Sequence, residues 1–400
     1  MAEATSRAKG ALGENMWKLR DKYAIAGIGF TEYSKASGRT VRSLASEACL
    51  KAANDAGLDL ADIDGLVSFN LNDSVPAIAV ATELGIPQAN YAVDLLMGGN
   101  AANLVVLAAA AAIEAGLAKN VLCFRAMNGR SGHRLGGAEK FEARGITQFT
   151  APFGWITYPQ AMAMWCRRHM IEYGTTAEQL GTIATTFRRN AMDNPRAMKR
   201  DPMSMDQYMV SRFIVEPFRL FDICLESDGA CAVLVTSKEQ ARDLRHKPVL
   251  ISGGAYGGGP NQGEDFFDAI RWPDHSHNYA KYIADDLWKG AGIGPKDIDF
   301  AEIYDCFTYS VIMQLEGLGF CKEGEGGSFV QGGRIERDGE LPINTHGGLL
   351  SEAYIHGLNH VVEAVQQLRG DAGVRQLPDV EVALTTAGAM TCGSAMVLRV

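Results

Sequence analysis

Short β-branched runs alternate along the chain with longer stretches that are apolar on one face, the pattern of strands alternating with helices. Strands are expected at YAIAGIGFTEY, NVLCFRAM, GACAVLVTS, KPVLISGGAYG, EVALTTAG and AMVLRV. Residues 101–115, AANLVVLAAAAAIEA, are apolar almost all round, which predicts a helix buried on every side. VVEAVQQLRG, near the C-terminus, reads as an amphipathic helix.

The same order of elements occurs twice. LKAANDAGLDLADIDGLVSF (50–69) and DLWKGAGIGPKDIDFAEIYDCF (286–307) each read as a helix stopped by glycine, a turn containing DID, then an apolar strand. A looser pair, GGNAANLVVLAAAAAIEAGLAKNVLCF and HGLNHVVEAVQQLRGDAGVRQLPDVEVALTTAG, each runs loop, helix, strand. A duplicated α/β unit follows, with buried central helices between sheets. Residues 128–220 break the pattern and are rich in Met, Arg, Trp and Tyr. They predict a helical insertion that caps a pocket, and its arginines are candidates for a phosphorylated nucleotide tail. The expected division is an N-terminal extension at 1–22, an N-terminal half at 23–127 and 221–245, the insertion at 128–220, and a C-terminal half at 246–400.

Composition narrows the function. A net charge of −9 and the lack of a Lys/Arg run argue against nucleic acid as a partner. The longest apolar run, 104–113, is too short to span a bilayer, and the N-terminus lacks an apolar signal core, so a cytoplasmic location is expected. The eight cysteines form no CxxC pair, which makes a zinc ribbon within this chain unexpected and favours buried free thiols.

The densest chemistry lies at 343–360, INTHGGLLSEAYIHGLNH. Three histidines, a tyrosine and a glutamate stand among glycines ahead of a helix, where backbone N–H groups favour developing negative charge.

Four motifs in chain order resemble the thiolase superfamily, specifically its lipid-transfer, sterol-carrier-type branch. ESDGACAVLVTS (226–237) is similar to the family's SDGA strand entry, and AEIYDCFTYS (301–310) to the NEAF or HDCF loop. NTHGG…AYIHG is similar to NxxGG…GHPxG, and AGAMTCGSAM (387–396) to CxGGxGxA. The resemblance covers nearly the whole chain. It implies a layered α-β-α-β-α thiolase fold built from duplicated α/β halves, with a helical insertion. It also exposes departures. The position matching the nucleophilic cysteine, in DLLMGGNAAN, is Leu96, and the second cysteine of the family falls at Ala387. The GHP histidine falls at Tyr354, and the Asn or His of NEAF/HDCF at Tyr304. Cys306 and Cys392 are the thiols on matching loops that a relocated thiolase would need.

The subgroup resembled is the steroid side-chain-cleaving aldolases, through FRAMNGRSGHRLGG (124–137), SGGAYGGG (252–259) and THGGLLSEAYIHG (345–357). The resemblance implies retro-aldol cleavage of a β-hydroxyacyl-CoA, a 17-hydroxy steroid giving a 17-ketosteroid and propionyl-CoA. Aldol cleavage needs a base for the hydroxyl, an acid for the carbanion and donors for the enolate, but no acyl-enzyme. Tyr354 and Tyr256 are the expected catalytic pair. Tyrosine titrates near pH 10, so a base role requires a lowered pKa or a relay, for which His346 and His356 are candidates. Tyr304 and Asp305 are further catalytic candidates, with Asp305 expected to orient Tyr304 or a water. His356 and His360 stand one turn into a helix and read more as structural. Gly98, Gly99, Asn100, Asn344 and Gly388 are candidates for the oxyanion and substrate site. No cofactor is expected beyond the substrate's CoA, and no metal in this chain. The family implies a homodimer, with zinc expected only in a separate zinc-ribbon/OB-fold partner, free or fused to an enoyl-CoA hydratase subunit. A β-ketoacyl-CoA thiolase and a non-catalytic acyl-CoA or lipid carrier are the alternatives.

Overall fold

The computed structural model describes residues 17–132, 134, 147–262 and 272–400. His133 and residues 135–137 of FRAMNGRSGHRLGG, and most of the N-terminal extension, therefore lie outside the described residues. In chain order the elements are β1 (Tyr23–Phe30), α1 (Val41–Ala56), β2 (Gly65–Asn70), β3 (Tyr91–Leu96), α2 (Ala102–Glu114) and β4 (Val121–Asn128). The insertion supplies α3 (Tyr158–Tyr173), α4 (Ala177–Met192) and a ribbon of β5 (Phe213–Val215) and β6 (Phe218–Arg219). Then come β7 (Asp228–Ser237), β8 (Val249–Gly258), α5 (Ala280–Ala291), β9 (Phe300–Glu302), α6 (Thr308–Gly317), α7 (Leu358–Arg369), β10 (Val382–Ala387) and β11 (Cys392–Arg399).

Nine strands form one sheet in the order β3-β2-β4-β7-β1-β8-β11-β10-β9. The two halves meet where β1 pairs antiparallel with β8 through Ala24↔Leu250 and Ile25↔Val249. The two expected sheets are thus continuous at a narrow seam. Both α2 and α7 touch strands on each side of it, so the sheet wraps around a central helical layer. On the outer faces, α1 covers β1, β4 and β7, and α5 covers β8 and β11. This is the expected layering.

Local signals explain the helix ends. Thr40 caps α1 by accepting the Ser43 N–H, and Gly57 at φ 78° ends it. Thr176 and Gln179 form a capping box on α4. Buried alanines and valines cover α2, where Val105 and Val106 each contribute roughly 1.5–3 kcal/mol through burial. β3 was not among the expected strands: Asp94 interrupts its apolar residues, and alternate side chains along this edge strand face outward.

The insertion grips the C-terminal half through Arg188, Arg189 and Arg196. Arg196 pairs with Glu352 and Glu363, and the Arg188 guanidinium donates to Ser351 Oγ at 3.0 Å. Arg167, Arg168 and Arg189 pair with Glu216, Glu172 and Glu336. Arg188 and Arg196 are committed to protein groups, a use that composition could not reveal, whereas Arg167, Arg168 and Arg189 stay half exposed.

Candidate active site

Three loops converge at the ends of the central helices: 97–101 ahead of α2, 303–307 after β9, and 343–357 ahead of α7. The hydroxyls of Tyr304 and Tyr354 are 2.9 Å apart. Tyr304, a further candidate from sequence, is therefore hydrogen-bonded to Tyr354. Tyr256, the partner expected from sequence, lies on β8 opposite Ser394 of β11.

The chain around Tyr304 is fixed at every step. Its N–H donates to Thr386 Oγ1 at 2.8 Å, and its carbonyl accepts from Gln314 Nε2 at 2.8 Å and Ser310 Oγ at 2.9 Å. Asn344 accepts from the Ile303 N–H at 2.7 Å and donates to the Ile303 carbonyl at 2.8 Å. Its amide thus clamps the backbone next to Tyr304, a different task from the oxyanion contact expected of it. Asp305 accepts from the N–H groups of Leu349 and Leu350 at 2.8 and 3.2 Å, which joins the two tyrosine loops. Asp305 is expected from sequence to orient Tyr304 or a water; the hydrogen bonds it makes here are to the backbone of the loop that carries Tyr354. Tyr354 is held by its N–H donating to Ser227 Oγ at 3.0 Å.

Glycine shapes the wall facing the phenols. A Cβ on Gly99 would stand 1.7 Å from Tyr304 Oη, so any larger residue would displace the hydroxyl. Gly357, at φ 87°, lies under the Tyr304 ring, where a Cβ would approach within 2.9 Å. Gly98 and Asn100 complete the turn into α2, and the Asn100 amide donates to Cys392 Sγ at 2.9 Å. Gly388, at φ 120°, packs against the Cys392 carbonyl. Leu96, at the matching nucleophile position, is 67% exposed, and the adjacent Met97 packs on the core. Neither side chain is a nucleophile.

The electrostatics disfavour a resting phenolate at Tyr304 and Tyr354. Burial raises both phenols well above their ordinary pKa; the neighbouring Tyr354 raises Tyr304 further, whereas the Tyr304 hydroxyl and Arg125 temper the rise at Tyr354. Neither of these two phenols has the lowered pKa that a simple tyrosine base would need. Arg125, fully buried in β4, pairs with Asp73 and donates through Nε to His356 Nδ1 at 3.1 Å. Burial and then the Arg125 charge depress His356 to about 3, so it is a neutral acceptor. Its φ of 51° and that of Asn344, 50°, put two strained backbone positions in one loop.

Beneath the tyrosines, His346 Nδ1 stands 2.9 Å from Glu302 Oε2 and its Nε2 3.5 Å from Glu352 Oε2. Burial opposes a charge on His346, but Glu352 and Glu302 outweigh it and hold its pKa at about 9. His360 is similarly raised against the penalty of burial by Asp305 and Glu302. Glu302, His346 and His360 are the described residues whose spacing is also compatible with a bound cation.

Sequence reasoning passed over Arg125, Asp73, Glu302 and Ser227. One signal was available: an arginine inside the otherwise apolar strand VLCFRAMN, where a charge must have a buried use.

Comparison with known proteins identifies the family. Residues 267–399 match the family model described as thiolase C-terminal domain-like. A steroid side-chain-cleaving aldolase of Thermomonospora curvata is 44% identical over 94% of this chain and 97% of its own. A 17-hydroxy-3-oxo-4-pregnene-20-carboxyl-CoA lyase of Mycobacterium tuberculosis is 41% identical over 95% of this chain and 100% of its own. The solved structure of an Ltp2-ChsH2(DUF35) aldolase superposes with a TM-score of 0.89 at 42% identity, covering 95% of this chain and 98% of that one. With the thiolase frame and relatives aligned over almost their full length, this chain belongs to the thiolase superfamily, in its branch of steroid side-chain-cleaving aldolases.

Proposed function

We propose that this enzyme is a carbon–carbon lyase that cleaves a β-hydroxyacyl-CoA by retro-aldol chemistry. The substrate is a 17-hydroxy steroid with a short acyl-CoA side chain, and the products are a 17-ketosteroid and propionyl-CoA. The observation that carries this reading is the 2.9 Å contact between Tyr304 and Tyr354 hydroxyls against the Gly99 wall.

Two neutral phenols cannot act as a standing base, so they work as a relay. In one concerted shift, the first phenol oxygen accepts the substrate's hydroxyl proton as it donates its own to the second phenol, and the second donates its own proton towards the α-carbon. The carbon–carbon bond breaks in the same event: its electron pair moves towards the thioester, where enolate character develops, and the new ketone forms. Each phenol ends with one proton, which leaves the pair as it began. Arg125 supports Tyr354 through any transient negative charge. The turn Gly98–Gly99–Asn100, at the N-terminus of α2, is the proposed donor site for the enolate oxygen.

The proposed assembly is a homodimer formed through the exposed edge strand β3, with a zinc-ribbon/OB-fold protein at the active-site mouth. The matched Ltp2-ChsH2(DUF35) structure supports such a partner. Among the described residues no helix is long and apolar enough to cross a membrane, and the proposed site of action is the cytoplasm.

The test is turnover of 17-hydroxy-steroid-CoA and of a straight-chain 3-hydroxyacyl-CoA by the chain co-expressed with that partner. Stoichiometric 17-ketosteroid and propionyl-CoA, with no protein adduct by mass spectrometry, are expected. An acyl group trapped on Cys306 or Cys392 would restore the thiolase reading. Tight binding without cleavage would make the protein a carrier.

A further inference from the structure

Four carboxylates, of Glu302, Asp305, Glu352 and Glu363, are fully buried behind the two tyrosines. Arg196 reaches Glu352 and Glu363, and Arg375 pairs with Glu363 at 2.9 Å. Thr345 donates to Glu302, and Asn194 and Asn359 donate to Glu352, but these groups carry no charge. Two arginines therefore leave two negative charges without a counter-charge in a dry interior, where an uncompensated ion is costly. The remaining side chains in the cluster that can become positive are His346 and His360.

Their placement is specific. His346 stands between Glu302, two residues before Tyr304, and Glu352, two residues before Tyr354. It bridges the loops that carry the two phenols. His360 stands between Glu302 at 3.7 Å and Asp305 at 3.3 Å, the acids on either side of Tyr304, and its ring lies edge-on to the Tyr304 ring at 6.4 Å. The two imidazoles meet edge to face at 5.0 Å. Their ring nitrogens face carboxylates at ion-pair distance without forming aligned hydrogen bonds, so charge rather than linear bonding dominates these contacts.

We propose that His346 and His360 are held as a pair of imidazolium cations that lock the two tyrosine loops in register, making both histidines positioning residues for the relay. The proposal rests on the tyrosine-pair reading above. Two protons supply the missing charge from groups the chain already holds. If His346 loses its proton, Glu302 and Glu352 repel across the gap, and the loops that set the phenol–phenol distance separate.

The sign of the pH effect follows from the raised His346 pKa. The stabilisation is fully present below the unfolded-state value of about 6.5. It is lost as pH rises through about 9.

Three measurements test the pair, using the chain with its partner. The first is ¹⁵N NMR of histidine-labelled protein at pH 7, which needs no substrate and so stands apart from the aldolase assignment. Protonation of both ring nitrogens in two buried histidines supports the proposal; neutral rings overturn it. The second is kinetics of His346→Gln. A fall in kcat of about ten- to a hundredfold, with KM within about threefold, is expected from a sub-ångström misplacement. The basic limb near pH 9 should disappear with it. His346→Gln/Glu352→Gln, which removes one charge of each sign, should recover part of that loss; no recovery overturns the charge argument. The third is elemental analysis. A stoichiometric divalent metal whose chelation abolishes activity would replace the two protons with an ion and overturn the proposal.

Discussion

The two central helices occupy the same buried layer and do opposite work. α2 is almost wholly aliphatic, and its buried Asn103 is absorbed by the carbonyls of Thr385 and Ser394 at 3.1 and 3.2 Å. α7 carries Asn359, His360, Glu363 and Gln367 into the same interior. Burying such groups is unfavourable unless each finds partners. Glu363 does so with two arginines, and Gln367 donates to Thr345 Oγ1 and the Arg375 carbonyl. The repeat thus kept its shape and divided its labour. The N-terminal copy supplies a rigid floor and a glycine wall, and the C-terminal copy supplies the proton-carrying groups.

That division can be broken most directly at Tyr354. Tyr354→Phe should reduce kcat/KM about a thousandfold, within the usual range for an acid–base group, and leave the circular dichroism spectrum unchanged. Turnover within threefold of wild type would move the chemistry off the C-terminal side. Arg125→Met probes the main charge lent by the N-terminal side. It should lower kcat about a hundredfold and cost about 3–5 kcal/mol in urea unfolding, because Asp73 is left buried and unpaired. Adding Asp73→Asn should recover stability but not activity; recovery of both would make the pair purely structural.

Gly99→Ala sharpens the boundary between the halves, since its new methyl would occupy the place of the Tyr304 hydroxyl. About a tenfold loss of kcat, with a fall in Tm of a few degrees, is expected. An unaffected rate would mean that the phenol pair tolerates displacement. The smallest effect concerns His356. Its folded-state pKa is depressed to about 3, so its contribution to stability is intact above about 6.5 and declines as pH falls towards 3. His356→Gln should flatten that acid limb in urea midpoints measured between pH 7 and 4; an unchanged slope would assign the limb to carboxylates.

Periodicity was enough for the duplicated frame. The buried helix expected at 101–115 is α2 at Ala102–Glu114, and the β-branched runs became β1, β4, β7, β8, β10 and β11. β3 escaped because an edge strand with an outward Asp94 lacks a continuous apolar run. Tyr354 was legible from its place in a motif. Its hydrogen bond to Tyr304 was not, because the two lie fifty residues apart and meet only when Asn344 and Asp305 bring their loops together. The roles of Arg125 and Glu302 were also hidden. A charged residue in an apolar strand announces burial, but its partner depends on tertiary contacts.

The grip of the insertion on the tyrosine loop has a consequence for how this enzyme can change. Asn190 donates to the carbonyls of Ile343 and Asn344, Asn194 to that of His346, and Arg196 to Glu352. A substitution that reshapes the roof for a bulkier or slimmer ligand therefore pulls on the same segment that sets the reaction geometry. Selectivity and speed are mechanically linked here, and a lineage that adopts a new ligand must re-tension this segment before it regains its rate.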